Sequence, residues 1–246
     1  MDEKRIRQYL RHPLTIQCYD SLPSTNSLAK SWALQGAPQG SAVFADSQTA
    51  GRGRRGHSFY SPPGGLYMSL IVDVTGYAPG QLTTLAAVAA ARSIAVVTGQ
   101  QILIKWVNDL LQNGNKVGGI LAEGILIEGR LSKSVIGIGL NTGEADFPPE
   151  LSPTAGKLSI AGQPYDREQL AALIINEILE SLHLIPAHME TYRLRCLTLG
   201  KQVSFLYEGH ERNGIALDVD DNGELIVQTA KGDIRLLAGE VSLMKV

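Results

Sequence analysis

Ile102-Leu103-Ile104-Lys105-Trp106, Val117-Gly118-Gly119-Ile120-Leu121 running on to Ile127, and Ser134-Val135-Ile136-Gly137-Ile138-Gly139-Leu140 are three apolar runs. Asn113-Gly114 precedes the second run and Glu128-Gly129 the third. Apolar runs of strand length parted by such dipeptides predict consecutive strands joined by tight turns. Upstream, helix and strand signals alternate. A short helix is predicted over 2–10 and a strand over 14–19. Ser24-Thr25-Asn26, a cluster of N-cap residues, opens a helix that stops at Gly36. Strands over 41–46 and 66–74 flank a Gly-, Arg- and Pro-rich loop at 47–65. A helix over 79–97 places Leu82, Leu85, Ala86 and Ala89 on one face. Downstream, residues 142–165 are polar and rich in Pro and Gly. Asp166-x-x-Gln169 is a capping box for a helix carrying Leu170, Leu173, Ile174, Ile178 and Leu182. A further helix is predicted over 186–195. From Gly200, short strands at 203–207, 215–219, 225–229 and 234–237 alternate with turns, the pattern of a small barrel. The boundary falls near residue 198, giving units 1–198 and 199–246.

Composition narrows the function classes. The chain has 246 residues, 44% hydrophobic and 19% charged, with a formal net charge of −2. That balance argues against disorder, and it supplies no basic field for nucleic acid or anionic lipid. The charged N-terminus has no signal-peptide core. The most apolar helical stretch, Leu85 to Val97, is interrupted by Arg92 and falls short of about 18 clean residues. A soluble, cytoplasmic protein with no membrane partner is expected. Cys18 and Cys196 are far apart and are expected to be free thiols. The five histidines show no metal-binding spacing. Glycine, 26 residues or about 11% against an average near 7%, points to tight turns or to backbone approached closely by a ligand.

Three segments carry candidate chemistry. Gly51-Arg52-Gly53-Arg54-Arg55-Gly56 matches Gly-x-Gly-x-x-Gly, yet His57-Ser58-Phe59-Tyr60-Ser61-Pro62-Pro63 cannot open the helix a dinucleotide fold needs. His57 also stands where a P-loop requires lysine. What is left is a loop of three arginines and three glycines, suited either to binding an anion or to plain solvation. Lys105-Trp106-Val107-Asn108-Asp109 and Lys116-Val117-Gly118-Gly119 set two lysines, an amide and a carboxylate around one strand–turn–strand unit. Taken singly, Lys116 and Asp109 read as turn residues. Gly137-Ile138-Gly139-Leu140-Asn141 reads equally as a packed strand end.

Taken in order, these segments resemble the biotin–protein ligases. The resemblance rests on Ser24-Thr25-Asn26, Gln48 through Gly56, Lys105 through Asp109, Lys116 through Leu121, Gly137 through Asn141 and Gly239-Glu240-Val241-Ser242-Leu243. Val107 stands where the family commonly has proline, and His57 and Phe59 where it often has arginine and tryptophan. The resemblance implies an α+β catalytic domain, a mixed β-sheet with flanking helices of class II synthetase type, followed by an SH3-like C-terminal β-barrel. It implies ATP-dependent activation of biotin to biotinyl-5′-adenylate, then transfer to a lysine of a carboxylase biotin carrier domain, such as that of acetyl-CoA carboxylase. ATP and Mg²⁺ are the implied cofactors. Lys116 and Arg54 take the catalytic role. Ser24, Thr25, Asn26, Gln48, Gly51, Arg52, Gly53, Arg54, Lys116 and Gly118 fall at biotin. Arg52, Arg54, Arg55, Phe59, Lys105, Asn108, Asp109 and Asn141 fall at the nucleotide, with Asp109 towards the metal.

Residues 51–56 and 142–165 are the expected lids. The alternatives are a lipoate–protein ligase, which the Gly-Arg-Gly-Arg-Arg-Gly segment disfavours, a biotin-responsive DNA-binding repressor and a non-catalytic ligand-binding module. Only 23 residues precede Ser24, so sequence-specific DNA binding is not expected. A homodimer is left open.

Overall fold

In the computed structural model, residues 1–74, 76–144, 146–158, 165–237, 239 and 241–244 are described. Helix α1 (Glu3–Tyr9) leads into β1 (Ile16–Leu22), α2 (Thr25–Leu34) and β2 (Ala42–Gln48). After the arginine loop come β3 (Leu66–Asp73), α3 (Pro79–Thr98), β4 (Leu103–Lys105), β5 (Asp109–Gln112), β6 (Asn115–Ile127) and β7 (Arg130–Leu140). Then follow α4 (Arg167–Ser181), α5 (His188–Arg195) and strands β8 (Gln202–Tyr207), β9 (His210–Val219), β10 (Leu225–Thr229), β11 (Gly232–Leu236) and β12 (Val241–Leu243).

The first seven strands form one mixed sheet in the order β1-β2-β3-β7-β6-β5-β4. Only the β1–β2 pair is parallel. The turn signals do their expected work: Asn113 and Gly114 (φ 51° and 81°) close β5 onto β6, and Glu128 and Gly129 (φ 50° and 77°) close β6 onto β7. Strand β5 was not expected. Its apolar pair Leu110-Leu111 is too short to stand out beside Asn108-Asp109. The first strand runs to Leu22 rather than Tyr19, because polar Asp20 and Ser21 sit at an edge and continue pairing with β2.

Strand alternation divides the sheet into two faces. Phe44, Met68, Leu70, Ile136, Ile138 and Leu140 enter the main core, covered by the other helices. On the opposite face Val43, Ile71, Ile125 and Val135 meet Ala29 and Ala33 of α2 in a smaller cluster. Helix α2 starts where Ser24 Oγ accepts the Ser27 amide, and it covers only part of this face. The uncovered part is the cleft.

Helix α3 ends at Thr98, one residue beyond the expected 97. Gly80–Thr98 has a mean hydropathy of 1.4 and passes the length and composition test for a membrane span, but 67% of it is buried inside the protein. It packs against α4, α5 and β6. The Arg92 guanidinium leaves on the outer side to Glu177 Oε1 (2.7 Å) and Thr191 Oγ1 (2.8 Å).

The α3–α5 contact buries His188. Its Nε2 lies 2.8 Å from Thr84 Oγ1, while Nδ1 has no hydrogen-bond partner among the described residues. Burial pushes the imidazole down to about 4, with the Arg92 charge in the same direction and Asp221 opposing. The folded protein keeps His188 neutral, whereas the unfolded chain protonates near 6.5. Stability is therefore full above pH 6.5 and falls as pH drops towards 4, by up to about 3 kcal/mol. The thermal midpoint is expected to fall more steeply over that window in the wild type than in His188→Leu. Parallel pH profiles would remove His188 as the cause.

The last five strands form an antiparallel sheet of order β11-β10-β9-β8-β12, an SH3-like arrangement. Strand β12, the fifth, comes from the Gly239–Leu243 motif, of which Glu240 lies outside the described residues. The β9–β10 turn, α5 and the segment between α5 and β8 together brace the KWVND segment. Trp106 Nε1 donates to Gly223 O (3.0 Å), Trp106 N donates to Thr198 Oγ1 (2.9 Å), and Tyr192 OH donates to Val107 O (3.0 Å).

Candidate active site

The floor of the cleft is bare backbone. On β7 the isoleucines of Gly137-Ile138-Gly139 and their neighbours enter the core, so the glycines face the other way. Gly119 of β6 lies opposite Gly139 in register. A Cβ on Gly139 would stand 2.6 Å from Phe59 Cε1, and one on Gly137 would collide with Asn26 Oδ1. Asn26 and Phe59 therefore sit directly over these glycines, about 7 Å apart along the strand. The Phe59 ring meets Tyr67 edge-on at 6.3 Å between centroids. Gly137→Ala must displace an anchored side chain and is expected to cost about 1–3 kcal/mol. Gly119→Ala would meet Lys116 and Phe59 no closer than 3.6 Å and should unfold within about 1 kcal/mol of the wild type. Denaturant melts of the two variants compare them; equal midpoints would refute the collision.

The Asn26 end is polar and dry. Ser24, Thr25 and Asn26 are each 4% exposed. Gln48 Oε1 accepts the Thr25 amide (2.9 Å) and lies 3.2 Å from Thr25 Oγ1. Its Nε2 donates to Ser61 Oγ (3.0 Å). Ser69 Oγ lies 2.6 Å from Asn26 Oδ1 and 2.8 Å from Thr25 Oγ1. Asn26 Nδ2 donates to Glu123 Oε2 (3.0 Å), and Arg52 Nη2 donates to Glu123 Oε1 (2.8 Å). This end mixes donors and acceptors, as a neutral polar ring would require.

The other end is charged. Lys116 Nζ pairs with Asp109 Oδ1 at 2.6 Å. The Lys116 backbone is gripped by residues 154–156: its amide donates to Thr154 O (2.8 Å) and its carbonyl accepts from Gly156 N (2.8 Å). Asn108 Nδ2 donates to Ile120 O (3.1 Å), while Asn108 Oδ1 accepts from Arg54 Nη1 (3.1 Å), which also reaches Gly239 O (3.3 Å). Arg54 thus spans from the glycine loop to the C-terminal sheet.

A cavity of about 790 Å³ joins both ends, within the range of about 300–1,000 Å³ that holds organic ligands. Ser24, Thr25, Asn26, Gln48, Arg52, Gly53, Arg54, Phe59, Lys105, Asn108, Asp109 and Lys116 all line it. Four expected residues stand outside that lining. Gly51 packs tightly on the Phe59 carbonyl and Ser61, and Gly118 faces Gly139 O and Leu140 on the core side. Arg55 turns the loop at φ 54°. Asn141 spends both amide protons on Lys116 O (3.3 Å) and Gly156 O (3.0 Å), fastening residues 156–158 to β6.

Sequence reasoning missed Glu123, Ser69, Ser61, Thr154 and the wall formed by Val241–Met244. Glu123 and Ser69 had a signal, a lone polar residue on the alternating face of an apolar strand. The second expected lid is only partly described, since residues 145 and 159–164 lie outside the described set. Its described part touches the first loop: Thr142 Oγ1 donates to Gly64 O (2.9 Å) and Tyr60 packs on Phe147 at 6.3 Å. Among the described residues there is no cluster of three His, Cys, Asp or Glu side chains able to hold a metal. Asp109 is a single carboxylate at the charged end.

Comparison with known proteins agrees with this arrangement. Residues 18–141 match the biotin/lipoate A/B protein ligase family, and residues 198–244 match the biotin protein ligase C-terminal domain. The chain belongs to this family. It is 36% identical over 239 residues to the bifunctional ligase/repressor BirA of Bacillus subtilis, covering 92% of this chain and 73% of that protein. It is 34% identical to the biotin--[acetyl-CoA-carboxylase] ligase of Mycobacterium tuberculosis, covering 89% and 85%. The biotin protein ligase of Aquifex aeolicus, solved in complex with biotin and ATP, superimposes with a TM-score of 0.81 at 28% identity over 94% of this chain and 99% of that one.

Proposed function

We propose that this chain is an ATP-dependent biotin–protein ligase whose two half-reactions share the single cleft. In the first, a biotin carboxylate oxygen attacks the α-phosphorus of ATP; the bond to the β-phosphate bridging oxygen breaks and pyrophosphate leaves. In the second, a neutral lysine ε-amine attacks the acyl carbon of biotinyl-5′-adenylate; the acyl C–O bond breaks, AMP leaves and the amine sheds a proton. The acceptor is a lysine of a biotin carboxyl carrier domain of a carboxylase.

The carrying observation is the polarity of the cleft. A dry set of matched donors and acceptors at Ser24, Thr25 and Gln48 suits a cyclic urea. The cations Lys116, Arg52 and Arg54 suit the carboxylate and α-phosphate, where negative charge gathers in both steps. Lys105, Asn108 and Asp109 lie on the nucleotide side. Asp109 would hold Mg²⁺; one carboxylate suits an ion that takes its other ligands from phosphate and water. When bound, Mg²⁺ neutralises phosphate charge. Phe59 offers an apolar face between the two ends. Residues 51–56 and the stretch 142–165 are the lids that would screen the adenylate from water.

Exchange of labelled pyrophosphate into ATP tests the assignment, with biotin and lipoate offered separately. Exchange that depends on biotin is expected. Exchange supported by lipoate and not by biotin would reverse it.

A further inference from the structure

We propose that Glu123 is a positioning residue for the biotin end of the cleft, holding Asn26 and Arg52 in one arrangement through a single carboxylate. The inference rests on the assignment of Asn26 and Arg52 to biotin made above. Glu123 sits on β6, two residues beyond Leu121, and its side chain is 19% exposed. Leu121 lines the cleft and Glu123 stands one step behind it. Its two oxygens serve donors from two separate elements. Oε2 accepts from Asn26 Nδ2 (3.0 Å) in the first turn of α2, and Oε1 accepts from Arg52 Nη2 (2.8 Å) on the glycine loop.

The two donors depend on this carboxylate to different degrees. Asn26 is fixed at its oxygen by Ser69 (2.6 Å), while its amide nitrogen reaches Leu121 O only at 3.4 Å, so Glu123 Oε2 at 3.0 Å is the shorter of its two acceptors and its loss leaves a buried donor poorly paired. Arg52 is 47% exposed and projects from a loop with glycine on either side. An exposed ion pair contributes little by itself. This one differs because the carboxylate is sheltered and its second oxygen is committed to a buried amide. Both bonds call for acceptors, and only a carboxylate offers two acceptor oxygens without a donor. A glutamine would turn its amide nitrogen towards either Asn26 Nδ2 or Arg52 Nη2. Glu123 touches the reacting atoms nowhere; it acts by fixing where two cleft residues point.

The test is calorimetric titration of biotin in the absence of nucleotide, with steady-state kinetics alongside. Glu123→Gln is expected to weaken biotin binding about tenfold and raise KM for biotin equally. KM for ATP and kcat at saturating biotin should stay within about threefold. On an Arg52→Ala background the same change should weaken binding by less, because one of its two contacts is already gone; full additivity would overturn the coupling. Should Glu123→Gln fail to fold, Glu123→Asp keeps the charge but withdraws it by one methylene, with the same expected direction. Gln48→Met serves as a marker for the biotin end. If Gln48→Met loses biotin affinity while Glu123→Gln keeps it, Glu123 has no positioning role. If both keep it and KM for ATP rises instead, the assignment of this end falls and the inference with it.

Discussion

Lys116→Gln is expected to lower the rate of biotinyl-adenylate formation by about 10²–10³, the usual cost of losing one donor aimed at developing charge. The structure sharpens this in two ways. The Lys116 backbone is held by Thr154 and Gly156 independently of its side chain, so the strand should keep its place. The side chain is 39% exposed, so truncation opens no cavity. Transfer from adenylate to the carrier lysine should slow as well, since the same phosphate leaves. Asp109 loses its partner in the variant, which should cost little stability at a half-exposed site. Pyrophosphate exchange measures the first step and a thermal melt checks the fold. Exchange within about threefold of the wild type would make Lys116 an ordinary turn lysine.

Arg54→Gly is expected to turn an enzyme that retains its intermediate into one that releases it. Ordering the glycine loop costs roughly 1–2 kcal/mol per residue in backbone entropy. A charge-assisted arginine contact returns about 1.5–3 kcal/mol. Arg54 Nη1 reaches both Asn108 Oδ1 and Gly239 O, so it fastens the loop to the KWVND segment and to the C-terminal unit together. Glycine removes that fastening and adds a further flexible position. Adenylate synthesis should fall less than retention, because Lys116 and Arg52 remain. Free adenylate acylates any exposed amine, so bystander albumin should become biotinylated by the variant and hardly at all by the wild type. Equal bystander labelling at matched turnover would assign retention to the second loop instead.

The legible parts of the fold were those with a strong local code. The cap at Ser24, the turns at Asn113-Gly114 and Glu128-Gly129, and the apolar alternation in β3 and β7 each state their structure within a few residues. The cleft lining was legible as a set, because Ser24, Gln48, Arg54, Asn108 and Lys116 recur in the family's order. What stayed hidden depends on contacts distant in sequence. The two amide protons of Asn141 on Lys116 O and Gly156 O are such contacts. Glu123 carried a signal as a lone polar residue on an apolar strand, but its partners Asn26 and Arg52 follow only from the folded arrangement. The pairing of Gly139 with Phe59 joins residues eighty positions apart, and no local pattern announces it.

The brace behind the KWVND segment bears on how the chain could be divided. Trp106 and Val107 are held by Thr198, Gly223 and Tyr192, while Val241–Met244 wall the cleft. A cut after residue 198 would leave Tyr192 and Thr198 with the first fragment, yet it would remove the Gly223 bond to Trp106 and the Val241–Met244 wall. The first fragment would then carry an incomplete cleft. Such a pair suits a split reporter, dark while its halves are apart and active only when two fused proteins bring them together.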